Sequence, residues 1–166
     1  MRLTSLKLNS LRDLYLEELR DLYSAETQLI NALPKMAAAA THSQLKQAFN
    51  DHLEETENQA ARLEQIFEAL NESPEGETCQ AMEGLIKEGS QMIKAEGDSV
   101  IIDSGLIGAA QRVEHYEMAG YGTARSLAQR LGEEEAAGLL QETLDEESNA
   151  DNLLTEIAEE LVPVAQ

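Results

Sequence analysis

Apolar residues recur along this chain at steps of three and four, the spacing that aligns one face of an α-helix. Leu11, Tyr15, Glu18, Leu22, Glu26, Leu29 and Leu33 form the first such stripe. It predicts a helix from near Ser5 to about Ala40. Pro34, which lacks a backbone donor, predicts a kink or break inside it. Thr41-His42-Ser43 reads as a polar joint with Thr41 or Ser43 as N-cap. A second helix follows to about Leu70, with Leu45, Phe49, His52, Thr56, Ala60, Leu63, Phe67 and Leu70 on one face. Ser73-Pro74-Glu75-Gly76 is a turn signal. A shorter amphipathic segment, about Cys79 to Ala95, carries Met82, Leu85, Ile86, Met92 and Ile93.

Gly97-Asp98 separates that segment from a third long helix, roughly Ser99 to Leu131. Its stripe is Leu106, Ala110, Val113, Glu117, Tyr121, Ala124, Ala128 and Leu131, and Gly132 is placed as its C-terminal cap. A fourth long helix, about Glu134 to Leu161, carries Leu140, Leu144, Glu147, Asp151, Leu154, Ala158 and Leu161, and Pro163 ends it. Strand and hairpin signals are absent. The expected fold class is therefore all-α: an antiparallel four-helix bundle in a single domain, 1–166. Some two dozen residues part the second long helix from the third, enough to carry the chain back along the bundle. That is the long crossover of ferritin-like folds, with the short helix inside it.

Composition narrows the function. Asp and Glu number 32 against 12 Lys and Arg, giving a formal charge of -20. Such a balance disfavours a nucleic-acid groove or an anionic membrane surface as partner. No stretch approaches the roughly 20 apolar residues of a membrane span. Aromatic content of 4% without Trp argues against a base-stacking platform. The lone Cys79 excludes an internal disulfide and suits a reducing compartment. With no signal-peptide pattern at the N-terminus, the expectation is a soluble, cytoplasmic protein.

Several acids fall inside the apolar stripes rather than on the polar faces. Glu26 lies between Leu22 and Leu29; Glu114 and Glu117 lie among Ala110, Val113, Met118 and Tyr121; Glu147 and Asp151 lie between Leu144 and Leu154. His52, with Glu55 one turn on, does the same on the second helix. Glu64, Glu68, Glu133 and Glu159 read instead as solvated face. An unpaired buried carboxylate costs several kcal/mol, on the order of the desolvation penalty of one ion. Protonation, pairing with a cation, or a metal can relieve it. No Lys or Arg follows Arg130, which leaves Arg112 and Arg125 as the nearest candidates on the third helix. Four carboxylates and a neutral imidazole match the charge of two divalent ions. An oxygen-rich set with some imidazole suits Fe, Mn or Zn.

Asp21-Leu22-Tyr23-Ser24-Ala25-Glu26, His52-Leu53-Glu54-Glu55-Thr56, Ala81-Met82-Glu83-Gly84-Leu85-Ile86 and Val113-Glu114-His115-Tyr116-Glu117 carry a family resemblance. With Glu142-Thr143-Leu144, Glu146-Glu147 and Asp151 added, nearly the whole chain resembles the YciE/YciF family of ferritin-like stress proteins, its YciF branch in particular. The resemblance implies a bundle similar to rubrerythrin, a homodimer, and metal binding on the analogy of di-iron carboxylate proteins. It supplies no established activity. The di-iron pattern takes a Glu from each of two helices and Glu-x-x-His from each of the other two. Here the order is reversed at His52-x-x-Glu55, Glu147-x-x-Ala150 lacks the His, and Glu114-x-x-Glu117 brings two acids. The carry-over gives Glu26, Glu55, Glu114 and Glu147 as metal ligands, then His52, Glu117 and Asp151, with Glu146 the register alternative to Glu147. Two divalent ions, Fe or Mn before Zn, are the expected cofactors. The alternative is a non-enzymatic dimeric protein on a metal-free scaffold.

Overall fold

A computed structural model describes residues 6–161. Five helices in this span, α1 (Leu11–Ala39), α2 (Ser43–Leu70), α3 (Gln80–Ile93), α4 (Ser99–Leu131) and α5 (Glu134–Leu161), make an all-α helical bundle, with no strand among the described residues. Helix α1 begins later than its stripe suggests. Ser10 caps it, its Oγ accepting from the Asp13 amide at 3.1 Å while the Asp13 carboxylate accepts from the Ser10 and Asn9 amides. This reciprocal pairing satisfies donors that the first turn leaves free. Leu11, counted with the inward stripe, is exposed. The expected start at Ser5 and stop at Pro163 lie outside the described residues.

Pro34 does not break α1, which stays helical to Ala39. The joint that follows is capped from a distance. His42 is the N-cap residue of α2, and neither Thr41 nor Ser43 serves in that place. Instead Asp103 of α4 accepts from the Thr41 and His42 amides at 3.0 and 2.8 Å and from the Thr41 hydroxyl at 2.7 Å. At the far end of α2, Asn71 closes the helix in the left-handed conformation. Asp98 caps α4 at the Val100 amide, and Gly132 ends that helix with φ 80°.

The long helices form a ring in which α1 touches α2 and α4, and α5 touches the same two. Arg12 reaches the Leu70 carbonyl, whereas Thr41 meets Asp103. Helix α2 therefore ends where α1 begins, and α4 begins where α1 ends. The segment between α2 and α4 runs the length of the bundle, as the sequence predicts. Helix α3 lies within it against α1 and α4, anchored where the Cys79 amide donates to Ser24 Oγ and Gln28 donates to the Cys79 carbonyl.

Two apolar clusters fill the interior. One gathers Tyr15, Leu19, Leu63, Phe67, Tyr121 and Leu140; the other gathers Leu29, Leu45, Phe49, Met82, Leu106 and Leu154. Between these clusters the helices turn polar together, burying Glu26, His52, Thr56, Gln59, Glu114, Glu117, Thr143 and Glu147.

Candidate metal centre

Each long helix contributes to this polar layer because an acid or imidazole takes a position that its stripe would otherwise give to Leu. His52, Glu114, Glu117 and Glu147 each present one ligand-type atom, and these atoms all lie within 4.8 Å of one another. His52 Nε2 stands 3.4 Å from Glu114 Oε1 and 3.8 Å from Glu147 Oε2. Its Nδ1 is 3.3 Å from Glu55 Oε2, so Glu55 fixes the ring with Nε2 facing the acids. Glu26 lies beside the four and is fully buried; the Tyr121 hydroxyl donates to its Oε1.

Polar atoms here lack partners in number. Both oxygens of Glu117 and Glu147, Glu114 Oε2, Glu26 Oε2 and His52 Nε2 are buried without a hydrogen bond among the described residues. Buried polar atoms are rarely left this way. Burial pushes the carboxyls of Glu26, Glu114, Glu117 and Glu147 up from their ordinary range, and Glu147 adds to the effect on Glu26. Burial opposes a charge on His52, yet Glu114, Glu55, Glu147 and Glu26 overcome it and lift the imidazole to about 10. The cluster is short of cations and draws positive charge from its own histidine.

The remaining candidates fall elsewhere. Glu55 is half exposed and lies outside the group of four, touching it through His52. Asp151 is set apart from the cluster, accepting from Gln111 at 3.1 Å and lying 3.5 Å from His115, which faces solvent. Glu146 also turns away from the centre. Arg62 grips it with two bonds, at 2.6 and 2.7 Å, and Gln59 donates to it. Burial acts to raise the Glu146 carboxyl, but Arg62 and Gln59 hold it below its usual range. The neutralising cation of α5 thus comes from α2. Arg112 and Arg125 bind the Gly108 carbonyl and Gln141 instead. Arg62 escaped the sequence reading, although it stands one turn beyond Gln59 on the face that meets α5.

A cleft between α2 and α5, lined by Asp51, Glu55, Asn149 and Leu153 among others, reaches His52 and Glu114. Ala48, Phe49, Ala150 and Leu154 complete its lining, so the approach to the centre is mixed, with Asp51 and Glu55 as its acids.

Fold and cluster define a class: helical-bundle proteins with a buried carboxylate–imidazole group suited to a metal ion. Within that class, the chain belongs to the DUF892 family, described as a domain of unknown function, which it matches over residues 10–165. It is 45% identical over 154 residues to Protein YciF of Escherichia coli strain K12, covering 92% of this chain and 93% of YciF. The crystal structure of the E. coli stress protein YciF superposes with a TM-score of 0.91 at 44% identity, over 95% of this chain and 100% of the other. YcfI from Rhodopseudomonas palustris gives a TM-score of 0.86 at 39% identity, over 93% and 98%. A Xanthomonas campestris protein gives 0.73 at 25%, over 92% and 93%.

Proposed function

We propose that the polar layer binds a pair of divalent cations, iron or manganese, and that the protein serves in a stress response through them. The partnerless oxygens of Glu114, Glu117 and Glu147, converging with His52 Nε2 from three helices, carry this reading. With Glu26 ionised as well, four carboxylates would balance two dications while His52 binds as a neutral ligand. Glu55 would then orient the imidazole, as carboxylates commonly do for metal-bound histidines. Tyr121 would hold Glu26 from behind. Iron or manganese in this place would supply redox chemistry toward oxygen or peroxide. The chain's own residues provide charge, a fixed geometry and two apolar clusters that keep bulk water from the layer's flanks.

Chelator-stripped protein is expected to take up two Mn(II) or Fe(II) per chain, counted by elemental analysis and Mn(II) EPR. Glu117→Ala and Glu147→Ala should abolish at least one equivalent. Glu55→Ala should keep the stoichiometry and weaken affinity by about 10–100-fold. A wild-type chain that takes up no Mn or Fe would end the proposal. It would favour the non-enzymatic scaffold, to which the single imidazole of the cluster already lends weight. The resemblance to YciF-type proteins also supports a cytoplasmic homodimer; sedimentation would test the dimer and cell fractionation the location. No helix among the described residues is long and apolar enough to cross a membrane.

A further inference from the structure

On the side of Glu114 away from α2, an apolar cavity opens between α1, α3 and α4. Leu29, Met36, Ile86, Ala109 and Val113 line it, Glu114 is also on its wall, and exposed Lys35 stands at its rim. Its volume is about 50 Å³. One water needs roughly 10–15 Å³, together with two to four polar partners. The walls supply few. Ser90 donates its hydroxyl to the Ile86 carbonyl, and Glu114 is the one acid among the wall residues. Such a lining favours an apolar occupant over water.

Gly89 forms part of the cavity wall. It lies buried in the interior of α3, where glycine weakens a helix relative to alanine. A Cβ there would stand 3.7 Å from Ala109 Cβ and 3.8 Å from Met36 Sδ, ordinary contact distances, and the backbone is not in the left-handed region. Neither crowding nor φ demands glycine at this position. What its missing side chain leaves is space on the cavity wall.

We propose that this cavity is a binding site for a small uncharged apolar molecule, of the size of xenon or dioxygen, and that it brings the molecule to the Glu114 edge of the cluster. Ions and apolar molecules would then approach by separate faces, through the α2–α5 cleft and the α1–α3–α4 cavity respectively. Use of the molecule at the cluster rests on the metal-site reading above; occupancy of the cavity does not.

Xenon is the test, applied to the full chain after chelation so that metal binding has no bearing on the result. Crystals pressurised with xenon are expected to show it between Gly89, Met36, Ala109 and Val113. Gly89→Val should lower that occupancy about tenfold or more at the same pressure. Should this variant fail to fold, Ala110→Val closes the facing wall and is read in the same way. Absence of xenon from the wild-type cavity, or equal occupancy in a folded variant, overturns the proposal. Metal titration of the same preparations is a separate readout, so failure of one reading leaves the other standing.

Discussion

Glu146 and Glu147 are neighbours on α5 with opposite fates. One is held ionised by Arg62 at the edge of the bundle; the other is sealed inside with both oxygens free of partners. A rotation of about 100° per residue separates them, and that alone assigns one to an ion pair and the other to the cluster. Tyr121 shows how the buried acids are managed singly. Its hydroxyl is the donor on Glu26, so Tyr121→Phe should destabilise chelated protein by about 1–3 kcal/mol, the cost of a buried group left unpaired. Urea denaturation measures this, and an unchanged midpoint would show that Glu26 finds another partner. Gly89→Ala should act in the other direction. It is expected to raise stability by about 0.5–1 kcal/mol, because alanine is the better helix former and contact distances permit it. A lowered melting temperature would mean that the cavity wall cannot take even a methyl group.

At the scale of elements, helix ends are fixed partly by local and partly by distant residues. The Ser10–Asp13 box is local, and Ser10→Ala should cost about 1 kcal/mol. The α1–α2 joint is different. Asp103, sixty-one residues from His42, accepts from the two amides and one hydroxyl of that joint. Asp103→Ala would leave these part-buried donors without their acceptor and is expected to cost about 1–2 kcal/mol. If this contact also fixes where α4 starts, amide exchange should quicken at both Thr41 and the first turn of α4. Exchange confined to one of them would separate the two ends. The four long stripes and the shorter amphipathic segment made all five helices and their order legible, since period and punctuation are local. Capping at the joint was not legible, because its acceptor comes from another helix.

For the whole molecule, stability is tied to charge in the polar layer. In metal-free protein, Glu26, Glu114, Glu117 and Glu147 hold protons above their ordinary value of 4.5, chiefly through burial. His52 is lifted from 6.5 to about 10. A group with a raised folded-state pKa adds stability below its unfolded value and loses it as pH rises through the folded one. Acids and histidine therefore act in the same direction, and chelated protein should lose stability from about pH 4.5 upward. Metal binding displaces protons, so added Mn(II) should stabilise far more at about pH 8 than at about pH 5. Thermal melts at the two pH values, with and without Mn(II), check this. A chelated protein equally stable at both would mean that the layer carries no strain.

Sequence by itself determined the helical class, the crossover and the presence of acids within apolar stripes, because helical period and turn chemistry are properties of neighbours along the chain. It also made Glu26, His52, Glu114, Glu117 and Glu147 visible as inward positions. Only the tertiary structure decided that Asp151 stays apart, that Glu55 touches the cluster through His52, that Arg62 takes Glu146, and that Gly89 borders a cavity. Each of these depends on the rotation and depth of one helix against another, and a few tens of degrees in that packing separates a ligand from a surface charge.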